Sequence, residues 1–273
     1  MNPESPMTWI LLRGLTREAR HWGEFPRQLA PLAQNPATGI AQTLPQVLPL
    51  DLPGNGAFYQ EASPSSVRGM VEFARQQLKA KGCQPPYSLL AMSLGGMVAT
   101  DWAQQYPHEV ARLVLINTSL RPYSGMTERL RPDNWLRLAL LAARWQGGES
   151  SDHVEQVIHQ LTCQRVDARD ADVAAWVRIR RQAPVSAANA GRQLWAGARF
   201  SSVKVPRCPT LVLSSRGDQL VHPQCSTRLA QAWQAEHHAH PWAGHDLPHD
   251  DPDWVGQQVG GWLTGLASGS ALA

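Results

Sequence analysis

The sequence predicts an α/β fold: a mostly parallel central sheet with helices on both faces, interrupted by a helical insertion. Two patterns predict it. Short apolar runs alternate with amphipathic helical patterns from Thr8 to about Leu120, and the strand pattern resumes at Thr210. Such alternation is what parallel strands joined by helical crossovers require. From about Arg121 to Phe200 the strand signals vanish and helical periodicity remains. The expected divisions are a first core part over 1–120, a helical segment over 121–200 and a second core part over 201–273.

In chain order, Trp9-Ile10-Leu11-Leu12 reads as the first strand, and Trp22, Phe25, Leu29 and Leu32 follow at helical spacing. Val47-Leu48-Pro49-Leu50 is a weaker strand ending in Asp51-Leu52-Pro53-Gly54-Asn55-Gly56, a strong turn signal. Val67, Met70, Val71, Ala74 and Leu78 mark an amphipathic helix. Tyr87 to Met92 reads as a buried strand, Leu94 to Gln105 as a helix, and Leu113 to Ile116 as another strand. In the middle third, Val154, Val157, Ile158 and Leu161 form one helical face, with Asp152 and Glu155 as a capping pair. Val173, Trp176 and Val177 suggest a further helix. Trp135, Trp145, Trp176 and Trp195, with Leu136, Leu138, Leu140 and Leu141, read mainly as the apolar core of this segment. Thr210 to Leu213 resumes the sheet, a short strand falls near Ala239, and Trp254, Val259 and Trp262 sit in a final helix.

The 273 residues are 43% hydrophobic and 17% charged, which suits a well-cored globular chain and excludes a disordered one. A net charge of +3, with scattered arginines, gives no nucleic-acid stripe. No apolar run approaches the ~20 residues of a membrane span. Glu4 and the short run Trp9–Leu12 do not fit a secretory leader, so the expectation is a cytoplasmic protein. Cys83, Cys163, Cys208 and Cys225 lack close metal-type spacing and are expected as reduced thiols.

The chemistry centres on Ser93. In Ala91-Met92-Ser93-Leu94-Gly95-Gly96 a hydroxyl sits between a buried strand and a helix. A sharp turn there would hold it above the sheet end at a helix N-terminus, and the crowding demands small residues at 91 and 95. Alone, the segment reads equally well as a serine capping a helix. A nucleophile also needs a base and an orienting acid, in the order Ser, acid, His for this architecture. Asp218 follows the strand at Thr210, and His245 follows the strand near Ala239. Oxyanion donors are expected from the backbone N–H groups of Leu94 and of Leu15, the latter on the Arg13-Gly14-Leu15 turn.

These pieces resemble the α/β-hydrolases, in the esterase-like branch that includes pimeloyl-carrier-protein methyl ester esterases and cofactor-free haloperoxidases. The matching segments are Arg13-Gly14 with Trp22, Asp51–Gly56, Ala91–Gly96, Gly217-Asp218 and Gly244-His245, in register over residues 13–245. The resemblance implies a helical lid over residues 121–200. It implies a cofactor-free serine hydrolase for carboxylic esters of small or medium acyl groups, working through Ser93, Asp218 and His245. A C–C bond hydrolase, a lyase or a haloperoxidase could use the same triad, and a non-catalytic receptor is the rival from another class. One departure stands out: the family usually has His-Gly at the oxyanion turn, and here Arg13 replaces the histidine.

Other signals are set aside as bland. Pro248 breaks any zinc helix carrying His245 and His249, so no metal is expected. His249, Asp246, Asp250 and Asp251 read as surface loop residues. Gly54-Asn55-Gly56 lacks the rest of a phosphate loop. The middle third carries 12 arginines against 8 acids, a net of +4, which reads as a solvated helical surface. An acyl carrier protein as partner has only that weak support. The expected partner is a small-molecule ester, with neither nucleic acid nor membrane.

Overall fold

The structure is a computed structural model describing residues 7–33, 44–146 and 151–270. Residues 1–6, weighed above for a leader, lie outside the described residues. Six parallel strands form one sheet in the order β2-β1-β3-β4-β5-β6. They are β1 (Thr8–Leu12), β2 (Val47–Leu50), β3 (Tyr87–Met92), β4 (Val110–Ile116), β5 (Thr210–Ser215) and β6 (Glu236–His240). The chain leaves β1 for β2 on one side and returns to β3 on the other. That reversal opens a crevice at the carboxyl ends of β1 and β3, where ligands bind in open α/β sheets.

The strand alternation builds two cores. Ile10, Leu12, Leu89, Ala91, Leu113 and Leu115 face one side of the sheet. There they meet α2 (Val67–Ala80), α3 (Leu94–Gln105) and α9 (Gln224–Trp233). Trp9, Leu11, Leu90, Met92, Val114 and Ile116 face the other, against α1 (Phe25–Leu32) and α11 (Pro252–Ser270). Pro49 has no N–H to give a ladder, and it sits in β2, an edge strand, pairing with Leu11 of β1. Ser66 caps α2 by accepting the Gly69 N–H at 3.2 Å.

Between β4 and β5 run α4 (Met126–Arg129), α5 (Trp135–Gln146), α6 (Ser151–Thr162), α7 (Arg169–Gln182) and α8 (Ala187–Arg199). A short helix, α10 (Leu247–Asp250), precedes α11. Three expectations fail here. Glu155 does not cap α6. It is buried, with one carboxylate oxygen 2.6 Å from Arg17 and the other 3.1 Å from Arg180. The solvated-face reading therefore fails at Arg180. Nor are all the aromatic and leucine side chains core: Trp176 and Leu141 are buried, but Trp135, Leu136, Leu140 and Trp195 are exposed, Leu136 by 70%. The side chain of Trp145 lies outside the described residues. All four cysteines are free.

Candidate active site

The end of β3 turns directly into α3, and Ser93 is the residue at the turn. Its backbone sits at φ 52°, ψ −121°, a region favoured by glycine and costly by about 1–3 kcal/mol for serine. Its side chain makes no cap hydrogen bond, so the capping reading is not the one the geometry follows. Small residues are needed around it. A Cβ on Gly95 would meet the Leu12 and Arg13 carbonyl oxygens at 2.5 Å, and one on Gly96 would meet Thr118 at 2.7 Å. The β1 turn thus packs against the first turn of α3, and Gly14 lies against Ser93 itself.

Asp218 and His245 come from the loops after β5 and β6. His245 Nδ1 and Asp218 Oδ2 are 2.7 Å apart, both side chains almost fully buried, at 4% and 1% exposure. Asp218 Oδ1 accepts the N–H groups of Leu220 and Val221 at 2.8 and 2.9 Å, which fixes the carboxylate. Asn117, at the end of β4, donates to the His245 carbonyl at 2.9 Å and accepts from the Ser215 N–H at 2.9 Å. One amide therefore ties the histidine loop to the end of β5. Burial disfavours a charged His245, but Asp218 outweighs it by charge and hydrogen bond, aided by Asp246 and opposed by Arg13. The net effect holds His245 above the ordinary histidine range.

Ser93, His245, Gly14 and Leu15 line one cavity of about 100 Å³, together with Leu138 of α5 and Leu161 of α6. Among the described residues Ser93 Oγ makes no hydrogen bond, and the N–H groups of Leu15 and Leu94 have no partner. The structure brings Ser93 and His245 to the same cavity.

What the sequence reading missed is the machinery around Arg13. Its guanidinium is buried and paired two-pronged with Asp246, Nη1 to Oδ1 at 2.9 Å and Nη2 to Oδ2 at 2.5 Å, while lying 4.8 Å over Trp22. Arg13 belongs to the β1 turn and Asp246 follows His245, so one ion pair joins two walls of the cavity. Asp246 is no surface loop residue, being 3% exposed. Burial resists its charge, yet Arg13 wins and lowers its pKa below the usual carboxylate value. Asp250 is also buried, accepting the N–H groups of Gly244, Gln164 and Arg165. His249 is half-buried and bonds Asp172 at 2.9 Å. The surface expectation fails for these because each has a partner far off in sequence.

The segment between β4 and β5 is tied to the same turn. Gln193 of α8 accepts the Thr16 N–H at 2.9 Å and donates to Asn55 and Ser63 at 3.0 Å. Gly54 and Gly56, at φ 87° and 53°, make the turn that carries Asn55. Arg131 donates to the Asp218 carbonyl at 3.1 Å. Among the described residues, no helix is long and apolar enough to cross a membrane.

This arrangement defines a class, and the family comparison agrees: the profile of the alpha/beta hydrolase fold matches residues 46–252. The chain belongs to the α/β-hydrolase family. Its structure is similar to that of a thermophilic esterase from Thermogutta terrifontis, with a TM-score of 0.70 and 21% identity over 96% of this chain and 91% of that one. It is similar to the enol-lactonase of Burkholderia xenovorans LB400, with a TM-score of 0.73 and 17% identity over 96% and 94%. At such identities these structures share the fold. The Uncharacterized protein YbdG of Bacillus subtilis is 32% identical over 77 residues, 28% of this chain and 23% of that protein's length.

Proposed function

We propose that the protein is a cofactor-free serine hydrolase of carboxylic esters with small acyl groups. The observation that carries this reading is the buried His245–Asp218 pair opening on the same cavity as the strained Ser93. In this reading Ser93 Oγ attacks the ester carbonyl while His245 Nε2 takes its proton. Asp218 fixes the imidazole with Nε2 toward the serine and stabilises the imidazolium. The Leu15 and Leu94 N–H groups, free of other partners, receive the oxyanion. His245 then protonates the leaving alkoxide, and water cleaves the acyl-enzyme with the same base. In this reading the helices α4–α8 act as a lid, supported by Leu138 and Leu161 lining the cavity that holds the serine.

The cavity argues for a short acyl group. An apolar cavity of about 150 Å³ holds a benzene, so one of about 100 Å³ suits an acyl chain of about three to four heavy atoms. The test is a p-nitrophenyl ester series from acetate to decanoate, with a lactone as the cyclic member. The reading expects kcat/KM to peak among the short chains and to vanish in Ser93→Ala. Turnover surviving in Ser93→Ala would overturn it.

A further inference from the structure

Outside the catalytic cavity, three potential metal donors converge where the helical segment meets the core. His159 and Cys163 stand one turn apart at the end of α6, and the Cys163 N–H bonds the His159 carbonyl at 2.8 Å. The helical turn therefore continues through Cys163 and puts both side chains on one face. His249 comes from α10 in the core. One donor atom from each of the three lies within 4.8 Å of the others.

His159 is the telling residue. It is 1% exposed, and among the described residues neither ring nitrogen has a hydrogen-bond partner. A buried imidazole normally satisfies at least one nitrogen, because an unmet polar atom in the interior is costly. Asp172 of α7 faces the same group: its Oδ2 is 2.9 Å from His249 Nε2 and 3.7 Å from His159 Nε2. Trp176 closes the apolar side, its ring centroid 5.3 Å from that of His159 and 5.0 Å from that of His249.

We propose that His159, Cys163 and His249, with Asp172, form a binding site for one Zn²⁺ ion that clips the helical segment to the core. Two imidazoles, a thiolate and a carboxylate are a zinc set in softness and number. Bonds of about 2.0–2.1 Å to nitrogen and oxygen give donor edges of about 3.3 Å, between the two distances from Asp172. The thiolate–imidazole edge would be about 3.6 Å, so donors now within 4.8 Å close by side-chain rotation. Three cations flank the site. Arg165 Nη2, 3.6 Å from Asp172, would yield its place to the metal, Arg169 acts on His159 by its charge, and Arg17 is paired at 2.6 Å with Glu155, which it shares with Arg180. In sequence, Pro248 rules out a zinc helix carrying His245 and His249. The structure instead gives His249 partners from α6, some 90 residues back in the chain (249 − 159).

The inference stands apart from the Ser93 chemistry and is read without activity. The full-length chain is stripped with chelator and titrated with Zn²⁺ by calorimetry, and with Co²⁺ by absorption spectroscopy. The site predicts one ion per chain, a thiolate-to-cobalt charge-transfer band, and a rise in Tm with Zn²⁺. Cys163→Ser, nearly isosteric, should lose the band and weaken binding by about 100-fold or more, while His238→Gln, on β6, leaves both intact. His159→Gln should weaken binding similarly, and if it does not fold, Cys163→Ser decides. No Zn²⁺ bound at about 100 μM, or binding unchanged in Cys163→Ser, would overturn the proposal.

Discussion

Removing one partner of the Arg13–Asp246 pair should be among the costliest single changes to this protein. The guanidinium and carboxylate make two hydrogen bonds, at 2.9 and 2.5 Å, with side chains only 2% and 4% exposed. Charge centres about 4 Å apart attract by about 4 kcal/mol at an effective dielectric constant of about 20. Breaking a buried pair from one side strands the other charge, and such changes typically cost about 3–5 kcal/mol. Asp246→Leu and Arg13→Met should therefore each lower the unfolding free energy by about 3–5 kcal/mol. The double variant, with no stranded charge, should cost far less than their sum. The assay is urea unfolding of all four chains, with the m-value checked for constancy. Single losses below about 1 kcal/mol, or a fully additive double variant, would refute the claim that this ion pair binds the two cavity walls.

Four more outcomes follow from the same geometry. In the proposed mechanism His245 must be neutral to accept a proton, and its pKa is raised, so activity should fall as pH drops through a midpoint above the ordinary histidine value of about 6.5. Asp246→Asn removes a charge that raises this pKa and frees Arg13, which lowers it, so the acid limb of kcat/KM moves to lower pH; a shift upward would contradict the assignment. Ser93→Gly should unfold at higher urea than the wild type, by about 1 kcal/mol, because glycine accepts the φ of 52° without strain; a less stable variant would remove the strain argument. Gln193→Ala strands the Thr16 N–H and should cost about 1–3 kcal/mol of stability, with kcat reduced more than KM, read from urea curves and steady-state kinetics.

The sheet was legible because its interior strands are continuous apolar runs. Tyr87–Met92 is buried at every position and matches its expected limits. Ser93 was legible because a strand-to-helix elbow constrains residues 91 and 95 to be small, which local sequence displays. Asp218 and His245 were legible because loops after strands of one parallel sheet must converge at one edge. The buried acids were not. Glu155, Asp246 and Asp250 look solvent-facing in sequence, and partners 138, 233 and 86 residues away help to make them interior. The β1 turn likewise shows its glycine but hides the use of Arg13. The exposure of Leu136 and Leu140 was hidden for the converse reason: helical periodicity shows which residues share a face, not what covers it.

The central claim is that Ser93 is an activated nucleophile, and covalent capture tests it most directly. The folded wild-type chain, treated with a fluorophosphonate and examined by intact mass and peptide mapping, should gain one adduct located on Ser93. Ser93→Ala should gain none, and His245→Ala should react far more slowly. A folded wild-type chain that stays unlabelled, or carries its label elsewhere, would contradict the account.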